Sequence, residues 1–226
     1  MANLLYERDS TARCRRSTVR HVRLLRRLPG TEVLVNAIIP LNDALKERAD
    51  VTEEKSLERD CAYDFVIAAD FEQDNTVRTV FNAVENYDRE HPTAPVLRTI
   101  FPDATFGDIV RESLSVQPDT VDTLAARITG LGANHALLPH AEALATKAKA
   151  VRTALAAHAE AVRALKIAEA EEEISRSALR RQYESNYFRA REMFGRPLAE
   201  NLFPVLTSKR GEIEEPAEAK PATAHA

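Results

Sequence analysis

The chain has 226 residues, of which 29% are charged and 6% are aromatic, with no Trp and only six Gly. This composition is far richer in helix formers than in strand formers, and it favours an all-α fold. The formal net charge of −4 hides an asymmetry, because residues 11–30 carry seven Arg and no Asp or Glu. The rest of the chain is therefore acidic.

Cysteine usage and hydropathy exclude several classes of protein. Cys14 and Cys61 belong to no CxxC pair and have no matching His pair, which excludes a disulfide framework and a zinc-finger spacing. No apolar run approaches the ~20 residues that cross a bilayer, and the N-terminus lacks the apolar stretch of a secretory signal. We therefore expect a soluble, cytoplasmic protein without a transmembrane segment.

Residues 1–30 are predicted to form an Arg-rich amphipathic N-terminal segment with a helix over residues 11–28. Pro29-Gly30 ends this helix. Arginines spaced four, three and four residues apart share one helical face: Arg16, Arg20, Arg23 and Arg27.

Residues 31–90 show the pattern of one or two helices. Thr31 is a candidate N-cap, and Pro40 should kink the helix because its ring removes one backbone hydrogen bond. Asp50 and Glu53 resemble a capping box, so a second helix beginning near residue 51 is the alternative to one kinked helix. From residue 52 onward the apolar residues keep a helical period, with a phase shift near residues 74–75: Leu57, Cys61, Phe65, Ala68, Phe71, Val77, Val80, Val84 and Tyr87.

Residues 92–117 are the least helical part of the chain, with three Pro and one Gly. They also hold too many apolar residues for a solvated linker, so we interpret them as a packed crossover with a short helix over Phe106–Arg111. Pro118 then takes the first position of a helix that runs to Leu131, where neighbouring glycines end it.

The stretch from His135 to Phe194 predicts the longest helix. Its small and apolar residues alternate at spacings of four and three, a heptad stripe that requires a partner helix. The stripe fails after Leu165, and beyond Ile174 a second apolar face with aromatic residues replaces it. The predicted helix-interface residues are Leu137, Leu144, Val151, Leu155, His158, Val162 and Leu165.

The long helix should end at Gly195, after which residues 197–206 form a turn that packs back through Leu198, Leu202 and Phe203. Residues 207–226 are predicted to be a disordered acidic tail. A sixty-residue helix is roughly 90 Å long, and the segment 31–90 has the same residue count. The predicted architecture is therefore an elongated antiparallel hairpin or bundle over residues 31–206, with two long helices and a crossover at 92–117.

The Arg-rich segment is the first candidate for a binding site. Its cations suit the phosphates of nucleic acid or another anionic surface, although the segment has no aromatic residue to stack on a base. The structural alternative is that the Arg face pairs with acidic residues at 169–173 or 53–58. The residues of the binding hypothesis are Arg13, Arg16, Arg20, Arg23 and Arg27.

No catalytic, cofactor-binding or metal-binding residue is predicted. Cys14 and Arg20 have the spacing of a phosphate-binding thiolate and arginine, but no glycine lies between them to turn backbone amides inward. The chain lacks Glu-x-x-His and the common nucleotide, hydrolase and protease motifs. His158, on the heptad stripe, must find a partner or stay neutral.

The sequence thus favours a non-enzymatic helical scaffold that acts through coiled-coil-like pairing. The expected partner is a second copy of the chain, giving a homo-oligomer, or another helical protein. Two alternatives remain open: a nucleic-acid or anionic-surface binder that uses the N-terminal Arg stripe, and an enzyme with a site near the 92–117 crossover.

Overall fold

The computed structural model describes residues 4–102 and 105–203, so the predicted tail at 207–226 lies outside the described residues. These residues form six helices and contain no strand: α1 (Thr11–Leu25), α2 (Glu32–Glu90), α3 (Leu97–Ile100), α4 (Phe106–Ile109), α5 (Gln117–Thr129) and α6 (Leu138–Leu202). The prediction of an all-α fold with two long helices is confirmed.

The described chain divides into two compact units. Unit 1 comprises residues 4–47 and 174–203, and unit 2 comprises residues 48–102 and 105–173. Both long helices contribute residues to each unit. Unit 2 is therefore one continuous stretch of sequence, whereas unit 1 is assembled from the two ends.

The core of unit 1 joins α1, the beginning of α2 and the end of α6. The apolar side chains of α1 lie on one face, while its arginines lie on the other, so the buried face alone packs against the two longer helices. The largest buried members of this core are Leu25, Leu34, Ile38, Leu45, Leu179, Tyr183 and Phe203.

Thr31 caps a different helix from the one predicted. Its hydroxyl donates hydrogen bonds to the carbonyl oxygens of Leu25 at 2.7 Å and Leu28 at 2.9 Å. The first carbonyl belongs to the last residue of α1 and also accepts from Leu28 N–H at 2.9 Å, and the second lies three residues after the helix. The side chain of Thr31 therefore stabilises the end of α1, and only its backbone carbonyl accepts from the first turn of α2.

α2 is one continuous helix, which settles the question that the sequence left open. The helix passes Pro40 and continues through residues 50–53, where the capping-box pattern predicted a possible second start. A capping pattern inside a helix has no effect when the preceding turn already supplies the hydrogen-bond acceptors.

Gly195 interrupts the last part of α6. Its φ of 74° and ψ of 167° are outside the helical region and belong to a conformation that residues with a Cβ rarely adopt. After this break Ala199, Leu202 and Phe203 return to the core of unit 1. The predicted packing turn is therefore present, but Leu198 does not belong to it, since 39% of its surface is exposed.

In unit 2, α2 and α6 run antiparallel. Arg48 pairs with Glu171 at 2.6 Å and Glu72 with Lys147 at 2.7 Å, so α6 numbers fall as α2 numbers rise. α5 and the crossover pack on one end of this helix pair. Their buried side chains complete a second core: Ile100, Phe101, Ile109, Val121, Leu124 and Ile128.

The crossover is packed, as the sequence predicted, and it contains two short helices. The carboxylate of Asp88 accepts hydrogen bonds from the backbone N–H groups of Val96 at 2.7 Å and Leu97 at 3.1 Å. α4 begins with a capping box formed by Thr105 and Asp108. These side chains satisfy backbone groups that the short helices cannot satisfy themselves.

Candidate interaction surfaces

The heptad stripe of α6 is used inside unit 2. Leu144 and Val151 are fully buried, and Leu144 belongs to the same core as Val77 and Val80 of α2. The remaining stripe residues divide into the buried Leu137 and Leu165 and the half-buried Leu155, His158 and Val162. The first part of the stripe is therefore used in the core of unit 2, where Leu137 and Leu144 lie, while its later part is only partly covered.

His158 meets an aromatic ring. The ring of Tyr63 in α2 lies 5.4 Å from the imidazole of His158, measured between ring centroids. His158 is only half-buried, so its nitrogen atoms keep access to solvent. This environment is that of a packing residue on the edge of the α2–α6 contact.

A second apolar stripe, on α2, is uncovered in unit 2. We call it the outer face: Leu57, Cys61, Phe65, Ala68 and Phe71. Leu57, Phe65 and Phe71 each have 66% of their surface exposed. The phase shift that the sequence shows near residues 74–75 now has a structural cause. Before it the apolar residues lie on the exposed side of α2, and after it they lie on the buried side, as Val77 and Val80 do.

Other apolar residues of the same part of α2 lie on different sides of the helix. Val66 is 1% exposed and faces the inside of unit 2, while Tyr63 and Ile67 are about half exposed on a further side. Charged residues lie between them: Glu58, Arg59, Asp60, Asp64 and Asp70. The unusual feature of residues 57–71 is therefore the exposure of large apolar side chains among charged ones.

Acidic side chains lie on the same side of α2 as the outer face. Helical spacing places Glu53 one turn before Leu57, Asp64 two turns after Leu57, and Glu54 two turns before Cys61. Glu53, Glu54 and Asp64, which we call the acidic rim, are exposed. None of the three forms an ion pair with a described residue of unit 2. Residues 48–173 carry 13 Lys and Arg against 23 Asp and Glu, a net charge of −10.

A shallow groove of about 560 Å³ lies between α2 and α6 next to the outer face. Small side chains line most of it, and Phe65 stands at its edge: Ala62, Phe65, Ala69, Thr146, Lys149, Ala150, Thr153, Ala154 and Ala157. Small residues let another backbone approach closely. The groove therefore extends the apolar surface from α2 onto α6.

The arginine face of α1 is exposed in unit 1. It comprises Arg16, Arg20, Arg23 and Arg27. None of these forms an ion pair with a described residue of unit 1, and Val19, 40% exposed, lies among them. Arg13 differs from the other predicted binding residues, because it is half-buried and its Nε lies 3.1 Å from Asp9. Glu58 pairs with Lys55, and Glu171 pairs with Arg48. The predicted pairing of the Arg face with acidic residues is therefore not found for these two glutamates.

Charge in unit 1 has the opposite sign to that in unit 2. Its described residues, 4–47 and 174–203, carry 15 Lys and Arg against 8 Asp and Glu, a net charge of +7. The chain's modest overall charge therefore results from two large charges of opposite sign. Each surface will attract partners of the other sign and repel its own kind.

A buried polar cluster in unit 1 was not predicted. His21 is fully buried, and its Nδ1 lies 2.9 Å from the carbonyl oxygen of Leu202, which assigns the proton to Nδ1. The Nδ2 amide of Asn186 donates to Leu34 O at 3.1 Å and lies 3.3 Å from His21 Nε2. Burial lowers the pKa of His21 to about 4, against a smaller opposing effect of the Leu202 hydrogen bond. The imidazole is thus neutral at ordinary pH and serves as a packing group.

The chemistry around Cys14 does not suit a nucleophile. Cys14 is fully buried, and burial is the largest cause that raises the pKa of its thiol, followed by the charge of Asp9. A reactive cysteine needs a lowered pKa and access to its substrate. The spacing between Cys14 and Arg20 therefore does not produce a thiolate site, since Arg20 lies on the exposed face of α1.

The crossover region contains a small cavity of about 240 Å³. Among its described lining residues Arg127 is the one charged group, and its Nη1 donates to the carbonyl oxygen of Ile100 at 3.0 Å. Thr120 and Thr123 are the other polar side chains there. A nucleophile next to a base, the arrangement that covalent catalysis uses, is not formed by these residues.

Metal-binding and membrane-spanning features were sought in residues 4–102 and 105–203. No group of three or more His, Cys, Asp and Glu side chains there is arranged to hold a metal ion. None of the described helices is both long enough and apolar enough to span a membrane.

Comparison with known proteins gives no match: neither protein-family models, nor curated proteins, nor solved structures match this chain.

Proposed function

We propose that this chain is a self-associating helical scaffold whose contact surface is the outer face of α2. The observation that supports the proposal is the exposure of Leu57, Phe65 and Phe71, which share one side of the helix. Exposed apolar surface of this kind typically marks a protein–protein contact. Leu137 and Leu144 of the α6 stripe, in contrast, belong to the core of unit 2.

The size of the apolar surface sets the expected strength of the contact. Burying the exposed two thirds of Leu57, Phe65 and Phe71 contributes about 3–6 kcal/mol, taking about 1.5–3 kcal/mol for a whole side chain. Association also loses translational and rotational freedom. Since a micromolar contact corresponds to about 8 kcal/mol, these apolar side chains alone give a weak contact whose population depends on protein concentration.

Sedimentation equilibrium of the purified chain tests the proposal. Wild type should associate between about 1 and about 100 µM, and F65S/F71S should remain monomeric over this range. The matched control is Val33→Ser, which removes a valine that is 64% exposed in unit 1 and should associate like wild type. Circular dichroism of all three proteins verifies that the helices are intact. A wild-type protein that is monomeric throughout would show that the proposal is wrong.

The second candidate function is binding of an anionic polymer, such as nucleic acid, through the arginine face of α1. It is supported by four exposed arginines that form no ion pair with the described residues of unit 1. Fluorescence anisotropy with labelled DNA tests it. R16A/R23A should weaken binding and reduce the slope of log K against log salt by about 2. The control R181A/R189A removes two exposed arginines of α6 in the same unit, and it should change the slope less.

A further inference from the structure

We propose that the outer face of α2 in one copy binds the arginine face of α1 in a second copy, so that the copies assemble head to tail. This inference rests on the proposed self-association, and it names the surface of the second copy that binds to the outer face. Three properties of the two faces favour the arginine face as the partner: their charges, the stretches of sequence that they span, and their side chains.

Charge excludes the simplest symmetric contact. If two outer faces met, the acidic rim of one copy would face the acidic rim of the other, and like charges would oppose the contact. The arginine face carries the complementary sign. The units as a whole show the same complementarity, with a net charge of +7 on the described part of unit 1 and −10 on residues 48–173.

The charged groups of the two faces also span similar stretches of sequence. Glu53 and Asp64 are eleven positions apart, as are Arg16 and Arg27. Arg16, Arg20 and Arg23 lie within α1, while Arg27 follows its last residue, Leu25. The carboxylates of the rim lie at its two ends, so ion pairs are expected at the ends of the contact, with apolar side chains between them.

The side chains within the two borders fit each other as well. Val19, exposed among the arginines, offers an apolar group to the centre of the outer face. The aliphatic stems of Arg20 and Arg23 cover apolar surface, and a guanidinium group stacks favourably on a ring such as that of Phe65. The exposed phenyl rings of the outer face would thus contact apolar and guanidinium groups in place of water.

The proposed contact joins two different surfaces, so a copy that is bound through its outer face still presents its arginine face, and a copy that is bound through its arginine face still presents its outer face. Such heterologous contacts produce rings when the rotation between copies closes, and open chains when it does not. Because the contact is made by surface charges, its strength should fall as salt screens them.

A charge-exchange experiment tests this inference directly. R16E/R23E removes the positive face and E54K/D64K removes the acidic rim, so each variant alone should associate about ten-fold or more weakly than wild type. Mixed in equal amounts, they should associate again, since the acidic rim of the first meets the intact arginine face of the second. R181E/R189E, which reverses two other exposed arginines of unit 1, should behave like wild type.

Three outcomes would overturn the inference. Association of R16E/R23E at the wild-type level would show that α1 is not the occupant, and a mixture that stays dissociated would show that the two faces do not meet. If R16E/R23E loses DNA binding while it still associates, the arginine face is a site for polyanions. In each of these cases F65S/F71S distinguishes the two proposals. If F65S/F71S loses association, the outer face remains the contact surface, although the arginine face of α1 is not what binds to it.

Discussion

The imidazole Nδ1 of His21 lies 2.9 Å from the carbonyl oxygen of Leu202, a residue 181 positions later in the sequence. The same ring packs against Tyr183 and Phe203, with centroid distances of 5.1 and 4.2 Å. The contact thus fastens α1 to the segment that follows the break at Gly195. The buried donor and acceptor satisfy each other, so they favour one position of α1 relative to this segment. Any displacement of α1 would leave both groups unpaired.

The free energy of unfolding should fall as pH falls from about 6.5 to about 4. The unfolded chain protonates His21 near the ordinary histidine pKa of 6.5, whereas the folded protein keeps it neutral down to a pKa of about 4. The unfolded state therefore binds more protons in this window, and stability decreases by about 3 kcal/mol across it. Above pH 6.5 the effect of His21 is constant.

Urea unfolding at a series of pH values measures this decrease, and His21→Gln provides the comparison. Other groups also titrate below pH 6.5, so the free energy of unfolding is plotted against pH for both proteins. The difference between the slopes of wild type and His21→Gln gives the contribution of His21. Equal slopes for wild type and His21→Gln would contradict the assignment of a neutral, buried imidazole.

Asn186→Ala should lower the free energy of unfolding by about 1–3 kcal/mol. The substitution removes the amide that donates to the carbonyl oxygen of Leu34 and lies 3.3 Å from His21 Nε2, and it leaves the buried Nε2 of His21 without a donor. Asn201→Ala, at an exposed position of the same helix, should change stability by less than about 0.5 kcal/mol. Denaturant titrations compare the two variants, and similar losses in both would contradict the role of the buried amide.

Gln73→Met should stabilise unit 2 by about 1–3 kcal/mol. Gln73 is fully buried, and neither its amide oxygen nor its amide nitrogen has a hydrogen-bond partner among the described residues. A methionine of similar shape avoids this unsatisfied amide. The opposite result is expected for Gln117→Met, because Gln117 Nε2 donates to Asp74 Oδ1 at 2.6 Å. Melting temperatures that shift in the same direction for both variants would show that Gln73 has a partner.

Gly195→Ala should destabilise the protein by about 1–3 kcal/mol. The conformation of Gly195, with φ 74° and ψ 167°, is essentially restricted to glycine. Gly107→Ala is the matched control, since a Cβ there would meet its nearest neighbour, Thr105 Oγ1, at an ordinary 3.7 Å. Thermal unfolding followed by circular dichroism measures both changes. No loss in Gly195→Ala would mean that the chain does not need this bend.

Much of the fold could be predicted from local pattern. The heptad period of α6 is visible because small or apolar residues recur at every fourth and third position, and Leu144 and Val151 are indeed buried. Pro118 and the glycines after α5 mark its ends by their backbone preferences. Such signals depend on residues that are close together in the chain, so they can be recognised from the sequence alone.

The interaction surfaces could be predicted only in part. A helical period shows that Leu57 and Phe65 share a face, but it cannot show whether a neighbour covers that face, because coverage depends on residues far away in sequence. His21 is harder still, since it stands in a run of arginines and its partners Asn186 and Leu202 are more than 150 residues distant. One signal was available: Asn186 shares the helical face of Tyr183 and Ala190, where a polar residue requires a buried partner.

The discontinuity of unit 1 has a consequence for biosynthesis. Residues 48–173 leave the ribosome as one stretch and contain a core of their own, whereas α1 meets its partners on α6 only after residue 203 has been added. Through most of translation the apolar side of α1 therefore lacks its final neighbours. Closure of unit 1 is therefore expected to follow synthesis of the last part of α6.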